Sequence, residues 1–241
     1  MSSVPVAVVT EGDALEPALA GTDARVVDPD AVTSDTVADA GVAFAVGESS
    51  LLAVARLCPE TPIAPVAAGV GRYEVPESAV GAVANAAVRD DLRTVGHPLL
   101  DVAVGGDPAG TAVTDVTLLT AAPARISEFG IRSTDGWDET VRADGVVVAT
   151  PLGSTGYARD AGGPVLAPGT GLVAVPVSAY AMHVRPWVLR PPVSLSVERD
   201  EAEVTVRLDD EVTRSVPPEA AVDIEAGSTL SLVDPQQFST R

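Results

Sequence analysis

The stretch Asp144-Gly145-Val146-Val147-Val148-Ala149-Thr150-Pro151-Leu152-Gly153-Ser154-Thr155-Gly156-Tyr157, followed by Ala161-Gly162-Gly163-Pro164, decides how the rest of the chain is read. The apolar run Val146–Thr150 reads as a strand and leads straight into a loop of small hydroxyl and glycine residues. Such a loop presents backbone N–H groups and hydroxyls to a polar ligand. Tyr157 adds one planar face and one OH. The same pattern also serves an ordinary strand-to-helix turn, so its surroundings have to decide between the two.

Working outward, short apolar runs recur on both sides. Leu99–Val104, Val113–Leu119, Ala124–Arg132, Leu172–Val177, Val193–Val197, Val204–Leu208 and Val222–Glu225 arrive at the spacing of an all-β domain, separated by Gly, Pro and Asp. Arg125-Ile126-Ser127-Glu128-Phe129 alternates polar and apolar, as a half-buried antiparallel strand does. Before residue 95 the pattern differs. Val4–Val9, Val42–Val46 and Ile63–Val66 read as strands, with Pro5 tolerated near the start of the first. Ser49 and Ser50 stand where an N-cap belongs before a helix over Leu51–Leu57, Cys58-Pro59 stops that helix, and Glu77–Val88 reads as an Ala-rich second one. Strand alternating with helix marks a small α/β layer with a parallel sheet. The expected fold is a small N-terminal parallel α/β domain, residues 1–95, followed by a C-terminal all-β, sandwich-like domain, residues 96–241, whose end returns to the first domain.

Composition narrows the function. The 241 residues carry 15 basic and 34 acidic side chains, a formal net charge of −19. That charge opposes a phosphate backbone, and aromatics at 3% leave no stacking platform for single strands, so no nucleic-acid partner is expected. Every basic residue is Arg; without Lys, a Walker-type lysine and Schiff-base chemistry are excluded. An excess of carboxylates with Arg in place of Lys suits a protein kept soluble in concentrated salt, a halophilic cytoplasm. The single Cys58 excludes an intramolecular disulfide, and with His97 and His183 it builds no zinc site. No basic leader and no apolar run of membrane-spanning length is present at the start, so a cytoplasmic location without a membrane partner is the expectation.

The segment Asp144–Pro164 resembles the DG-x4-TPTGSTAY…AGGP signature of the NAD kinase family. Ala112-Val113-Thr114-Asp115-Val116 is similar to that family's A-L-N-E-V segment, and Pro176-Val177 through Arg185-Pro186-Trp187-Val188-Leu189 to its P-I-x-P-H-S-L-x-x-R-P-x-V-L segment. Residues from about 99 to 235 follow the family's order. The resemblance implies NAD bound in a cleft between an α/β and a β-rich domain, with ATP and Mg²⁺ supplying a phosphate to the 2′-hydroxyl of the adenosine ribose. It also implies a homo-oligomer. Carried across by residue, it places Thr155, Gly156 and Tyr157 against the adenosine half of NAD, with Asp144 in the same cleft. Asp115 stands for the family's ribose-contacting Glu and Thr114 for its Asn, while Leu152 replaces a hydroxyl residue and Gly156 an Ala.

The family's G-G-D-G-T phosphate motif has its counterpart in Val46-Gly47-Glu48-Ser49-Ser50. Gly47, Ser49 and Ser50 form the phosphate loop, and Glu48 offers the general base a carboxylate one methylene longer than Asp. Each Cβ added to this loop intrudes where backbone must approach phosphate. Ala67 stands near the family's G-x-N. A literal Gly105-Gly106-Asp107 is followed by Pro108-Ala109-Gly110 rather than a helix and reads as a turn between strands. His97 and His183 pair with no nucleophile, and Asp209-Asp210-Glu211, where the family has D-G-Q, reads as a solvated turn, with a cleft role for Asp209 as the alternative. The implied activity is NAD phosphorylation on a small-molecule dinucleotide, with no protein metal site. The alternatives are a catalytically lapsed NAD(P)-binding or regulatory protein and a kinase acting on another hydroxyl substrate.

Overall fold

Runs of Val, Ala, Ile and Leu that are apolar at every position become strands buried on both faces, and they set the frame of the molecule. The computed structural model describes residues 6–11, 15, 18, 19, 22–57, 60–122, 126–180, 185–199 and 202–239. Expectations placed on Val4, Pro5, Cys58, Pro59, Ala124, Arg125 and His183 lie outside these residues. The chain divides into two units, Met1–His97 with Thr229–Arg241, and Pro98–Ser228.

In chain order the first unit contains β1 (Val6–Val9), β2 (Ala24–Val27), α1 (Ser34–Ala38), β3 (Val42–Val46), α2 (Glu48–Arg56), β4 (Ile63–Val66) and α3 (Val80–Val88). β1 pairs in parallel with β2 and with β3, and β3 with β4. Phe44, Ala64 and Val66 of this sheet pack against Val80, Val83 and Ala84 of α3, and α2 buries Leu51, Val54 and Ala55. The helix expected from Leu51 starts at Glu48, and its N-cap is Gly47 rather than a serine. The reason is the backbone: Gly47 takes φ +85, which Ser disfavours, and accepts the first helical hydrogen bond from Leu51 N–H at 3.1 Å. A 3-10 turn, Glu77–Ala79, precedes α3 where one continuous helix was expected.

β5 (Thr94–Val104) carries the chain across His97–Pro98 into the second unit. There follow β6 (Asp107–Ala112), β7 (Asp115–Thr120), β8 (Ser127–Ser133), β9 (Asp138–Ala143), β10 (Gly145–Ala149), α4 (Tyr157–Asp160), β11 (Leu172–Val177), β12 (Trp187–Leu189), β13 (Val193–Arg199), β14 (Val204–Leu208), β15 (Glu211–Val216) and β16 (Ala221–Val233). β16 recrosses at Ser228–Thr229, and its Leu232 pairs in parallel with Ile63 of β4. One antiparallel sheet of this unit runs β12-β11-β10-β7-β14-β15. Opposite it lie β9, β8, β13 and the first half of β16, all antiparallel. Val116, Leu118, Val146, Val148 and Val206 from the first sheet meet Phe129, Ile131, Leu195 and Ile224 from the second in one sandwich core. The Gly105-Gly106 pair, at φ +60 and +86, makes the β5–β6 turn. The run expected over Val113–Leu119 is broken, because Val113 and Thr114 form a corner between β6 and β7. Among the described residues no helix is long and apolar enough to cross a membrane.

Candidate functional site

Strand alternation puts Asp115 and Thr117 of β7 on the face of the six-stranded sheet turned away from the sandwich core. Asp115 stands opposite Ala149, Thr117 opposite Val147, and Arg207 of β14 opposite Thr117. Ala149 and Val147 on that face are covered by Ala158 of α4 and by Leu166. The loop after β10 thus folds back over the same sheet face that carries Asp115.

Close backbone approach holds this loop in place. Thr150 N–H donates to the Thr114 carbonyl at 2.8 Å, and Thr150 Oγ1 donates to the same carbonyl at 2.9 Å. Gly153 then lies directly on the Thr114 backbone; a Cβ there would come within 2.6 Å of the Thr114 carbonyl carbon and 2.9 Å of its Cα. Ser154 is buried and stitches the loop together, its Oγ donating to Pro151 O at 2.8 Å and accepting from Leu166 N–H at 2.9 Å. Gly163 fits against the Ala158 carbonyl, which accepts its N–H at 2.8 Å. Leu152, which replaces a hydroxyl residue of the family pattern, is buried among these groups.

The groups left facing outward are few. Asp115 is 8% exposed and accepts from Thr117 Oγ1 at 2.9 Å. Asp144, half-buried, precedes β10. Thr155 is half-buried, Gly156 exposed, and Tyr157 shows 42% of its surface. Partial withdrawal from water raises the Tyr157 phenol pKa, the carboxylates of Asp115 and Asp144 raise it further, and Arg207 opposes them. A phenol, an aromatic face and a fixed carboxylate together offer a hydrogen-bond donor, a stacking surface and an acceptor for a hydroxyl. Thr114, as buried as Asp115, directs its hydroxyl proton to Asp209 Oδ1 at 2.8 Å.

Asp209 is where the structure corrects the sequence reading. The expected solvated turn exists between β14 and β15, but Asp209 itself is half-buried and accepts N–H bonds from Val113 at 3.0 Å and Thr114 at 2.7 Å. Its φ of +54 is a conformation Asp adopts more readily than most residues.

The first unit carries the other expected group. Gly47 N–H donates to Val66 O at 2.9 Å, tying the end of β3 to β4, and Glu48 and Ser49 are exposed in the first turn of α2. N–H groups ahead of the first helical bond have no carbonyl partner within the helix, and they sit at its positive end. Ser50 is fully buried, and its Oγ has no hydrogen-bond partner among the described residues. Ala67, just past β4, takes φ +49, a glycine-like conformation kept by an alanine. Among the described residues no three His, Cys, Asp or Glu side chains gather to hold a metal.

Comparison with known proteins follows the same residues. A profile of the ATP-NAD kinase C-terminal domain matches residues 113–232. The NAD kinase of Methanopyrus kandleri is 32% identical over 198 residues, covering 76% of this chain and 71% of that protein. The NAD kinase of Methanosarcina acetivorans is 38% identical over 118 residues, 48% of this chain and 40% of that protein. Among solved structures, an Archaeoglobus fulgidus NAD kinase in complex with ATP has a TM-score of 0.74 at 22% identity, covering 97% of this chain and 94% of that one. A yeast NADH kinase complexed with NADH has a TM-score of 0.74 at 15% identity, covering 95% and 82%. These two likenesses are of fold.

Proposed function

Because the chain belongs to the NAD kinase family, we propose that it binds NAD and phosphorylates the 2′-hydroxyl of the adenosine ribose, with ATP as donor. One observation carries the binding half: the Asp115 carboxylate is fixed on the sheet face that carries the Tyr157 loop, within the segment matched to the family. In this reading Asp115 accepts a ribose hydroxyl, Tyr157 and Thr155 border the adenosine, and Asp144 stands nearby. Thr114 acts through its place in the corner more than through its own hydroxyl, whose proton is engaged by Asp209.

For the transfer, Ser49 and Ser50 supply backbone N–H groups to phosphate oxygens at the start of α2, and Gly47, whose own N–H is held by Val66 O, supplies the turn that lets phosphate approach. Glu48 takes the proton of the attacked 2′-hydroxyl as the ribose oxygen bonds to the γ-phosphorus, the bond to ADP breaks, and ADP leaves. Mg²⁺ on the donor neutralises phosphate charge when bound. A cytoplasmic, salt-adapted homo-oligomer is the setting we infer from charge and family.

A second reading, a dinucleotide-binding protein without turnover, is favoured by the loop itself, where Val46, Ser49 and Ser50 carry side chains at a phosphate approach. Purified protein incubated with NAD, ATP and Mg²⁺ in high salt, assayed for NADP beside a calorimetric NAD titration, separates the two. Turnover that falls by about 10²–10⁴ in Glu48→Gln with NAD affinity retained supports the kinase. Binding without turnover supports the second reading, and no binding of NAD or NADP sinks both.

A further inference from the structure

Asp209 carries more hydrogen bonds than a turn residue needs. Its Oδ1 accepts from Thr114 N–H at 2.7 Å, Thr114 Oγ1 at 2.8 Å, Val113 N–H at 3.0 Å and Asp115 N–H at 3.3 Å, while Oδ2 lies 3.1 Å from Val113 N. Its own N–H donates to the Asp115 carbonyl at 2.9 Å. One side chain thus collects three consecutive backbone N–H groups and a hydroxyl of the corner that ends in Asp115. The carbonyls of that corner are held from the other flank by Thr150 Oγ1, at 3.2 Å from Val113 O and 2.9 Å from Thr114 O. Backbone donors and acceptors are both engaged, so the corner has little freedom to rotate.

We propose that Asp209 is a positioning residue for the dinucleotide: it pins the Val113–Asp115 corner and thereby aims the Asp115 carboxylate at the ribose. The inference rests on the reading that Asp115 contacts the adenosine ribose. The chemistry requires a carboxylate. An ionised Asp offers acceptors only, matching the three N–H groups and the hydroxyl that converge on it, whereas an Asn presents an NH₂ to one or more of these donors and leaves them unmatched. This group reaches a corner 94 to 96 residues away in sequence, so its influence on Asp115 comes through these hydrogen bonds and not along the chain.

The test is a double-mutant cycle read by NAD titration calorimetry on the whole chain in high salt, with the ligand-free thermal midpoint measured in parallel. Asp209→Asn should weaken NAD binding by about ten- to a hundredfold, since bonds to charged groups are the stronger ones. Asp115→Asn should weaken it comparably, and the double variant should be no weaker than Asp115→Asn alone, because Asp209 acts through Asp115. A merely structural Asp209 would lower the midpoint and would multiply with Asp115→Asn, and multiplying effects overturn the proposal. Unchanged affinity in Asp209→Asn beside a weakened Asp115→Asn also sinks it while leaving the ribose reading intact. Unchanged affinity in Asp115→Asn sinks the ribose reading and the inference together. If Asp209→Asn does not fold, Asp209→Glu, which keeps the charge and displaces it by one methylene, should show the same non-additive loss, and wild-type affinity there would overturn the proposal.

Discussion

Tyr157 lies among opposing influences. Partial burial and the carboxylates of Asp115 and Asp144 hold its phenol protonated, while Arg207 pulls toward the phenolate. Removing one of the carboxylates must lower the pKa, so Asp115→Asn should shift the Tyr157 titration downward. Ultraviolet titration of that variant against Tyr157→Phe, which subtracts Tyr73 and Tyr180, measures it, and an unmoved curve would mean that Asp115 does not reach the ring. As a stacking surface, Tyr157→Ala should weaken NAD binding by about 1–3 kcal/mol. Tyr73 gives a second pH dependence with a different outcome. It is 2% exposed, stacks edge-on to His97 with centroids 5.8 Å apart, and burial pushes its pKa from 10.0 up to about 12 against the opposing Arg72. The folded state holds this proton more tightly than the unfolded chain. Its stability contribution is therefore complete below about pH 10 and is lost as pH rises toward about 12. Unfolding midpoints across that window should fall more steeply for the wild type than for Tyr73→Phe. Single residues were also where sequence reading reached its limit. Asp115 and Tyr157 stand in segments whose chain neighbours mark them as candidates, whereas Asp209 bonds to residues far from it in sequence and its own neighbours mark an acidic turn.

Two glycines at the start of helices test how the elements hold the loops. Gly153 leaves no room on its Cβ side because Thr114 backbone lies there, while Gly47 has open space but a φ of +85. Gly153→Ala should cost about 1–3 kcal/mol as overpacking and weaken NAD binding, because the Thr114 corner must move. Gly47→Ala should cost about 1–2 kcal/mol of backbone strain and leave the Asp115 corner alone. Denaturant midpoints and NAD titrations on both variants check this pairing; NAD affinity that survives Gly153→Ala would contradict it. The elements read correctly from sequence share one physical property. β3, β4 and β11 have the bounds expected for them because largely apolar runs bounded by Gly, Pro or charge leave little choice of ends, and β14 does because Val204, Val206 and Leu208 alternate with half-buried Thr205 and Arg207. β2, β9 and β15 were not legible. Ala24-Arg25-Val26 is exposed, and Asp138-Glu139-Thr140 is polar and exposed, as sheet edges are, so no apolar period marks them. The serines before Leu51 drew the N-cap forward, since local capping preference cannot see a glycine already turned by the end of a strand.

At the scale of the whole molecule, charge dominates. Ion pairs on the surface join exposed side chains, as Arg132 to Asp138 at 3.2 Å and to Glu198 at 3.0 Å, and Arg142 to Glu128 at 3.9 Å. Such pairs contribute at most about 1 kcal/mol each, too little to offset repulsion at a net −19. The Debye length shrinks from about 10 Å at 0.1 M to about 3 Å at 1 M, so the thermal midpoint should rise with added KCl over that range. A flat midpoint would remove salt adaptation from the proposed setting. The two crossings of β5 and β16 bear on a different matter, the order of assembly on the ribosome. Leu232 beside Ile63, Asp234 N–H on Arg93 O at 2.8 Å, and Arg93 N–H on Gln237 Oε1 at 2.8 Å close the first unit with residues translated after the whole of the second. Nascent chains stalled once residue 228 has emerged should therefore resist protease over 98–228 and remain cleavable over 6–97. Early resistance of 6–97 would show that the unit closes without its last strand. The half of the protein made first is thus the half finished last, and a premature stop late in the reading frame would damage its beginning.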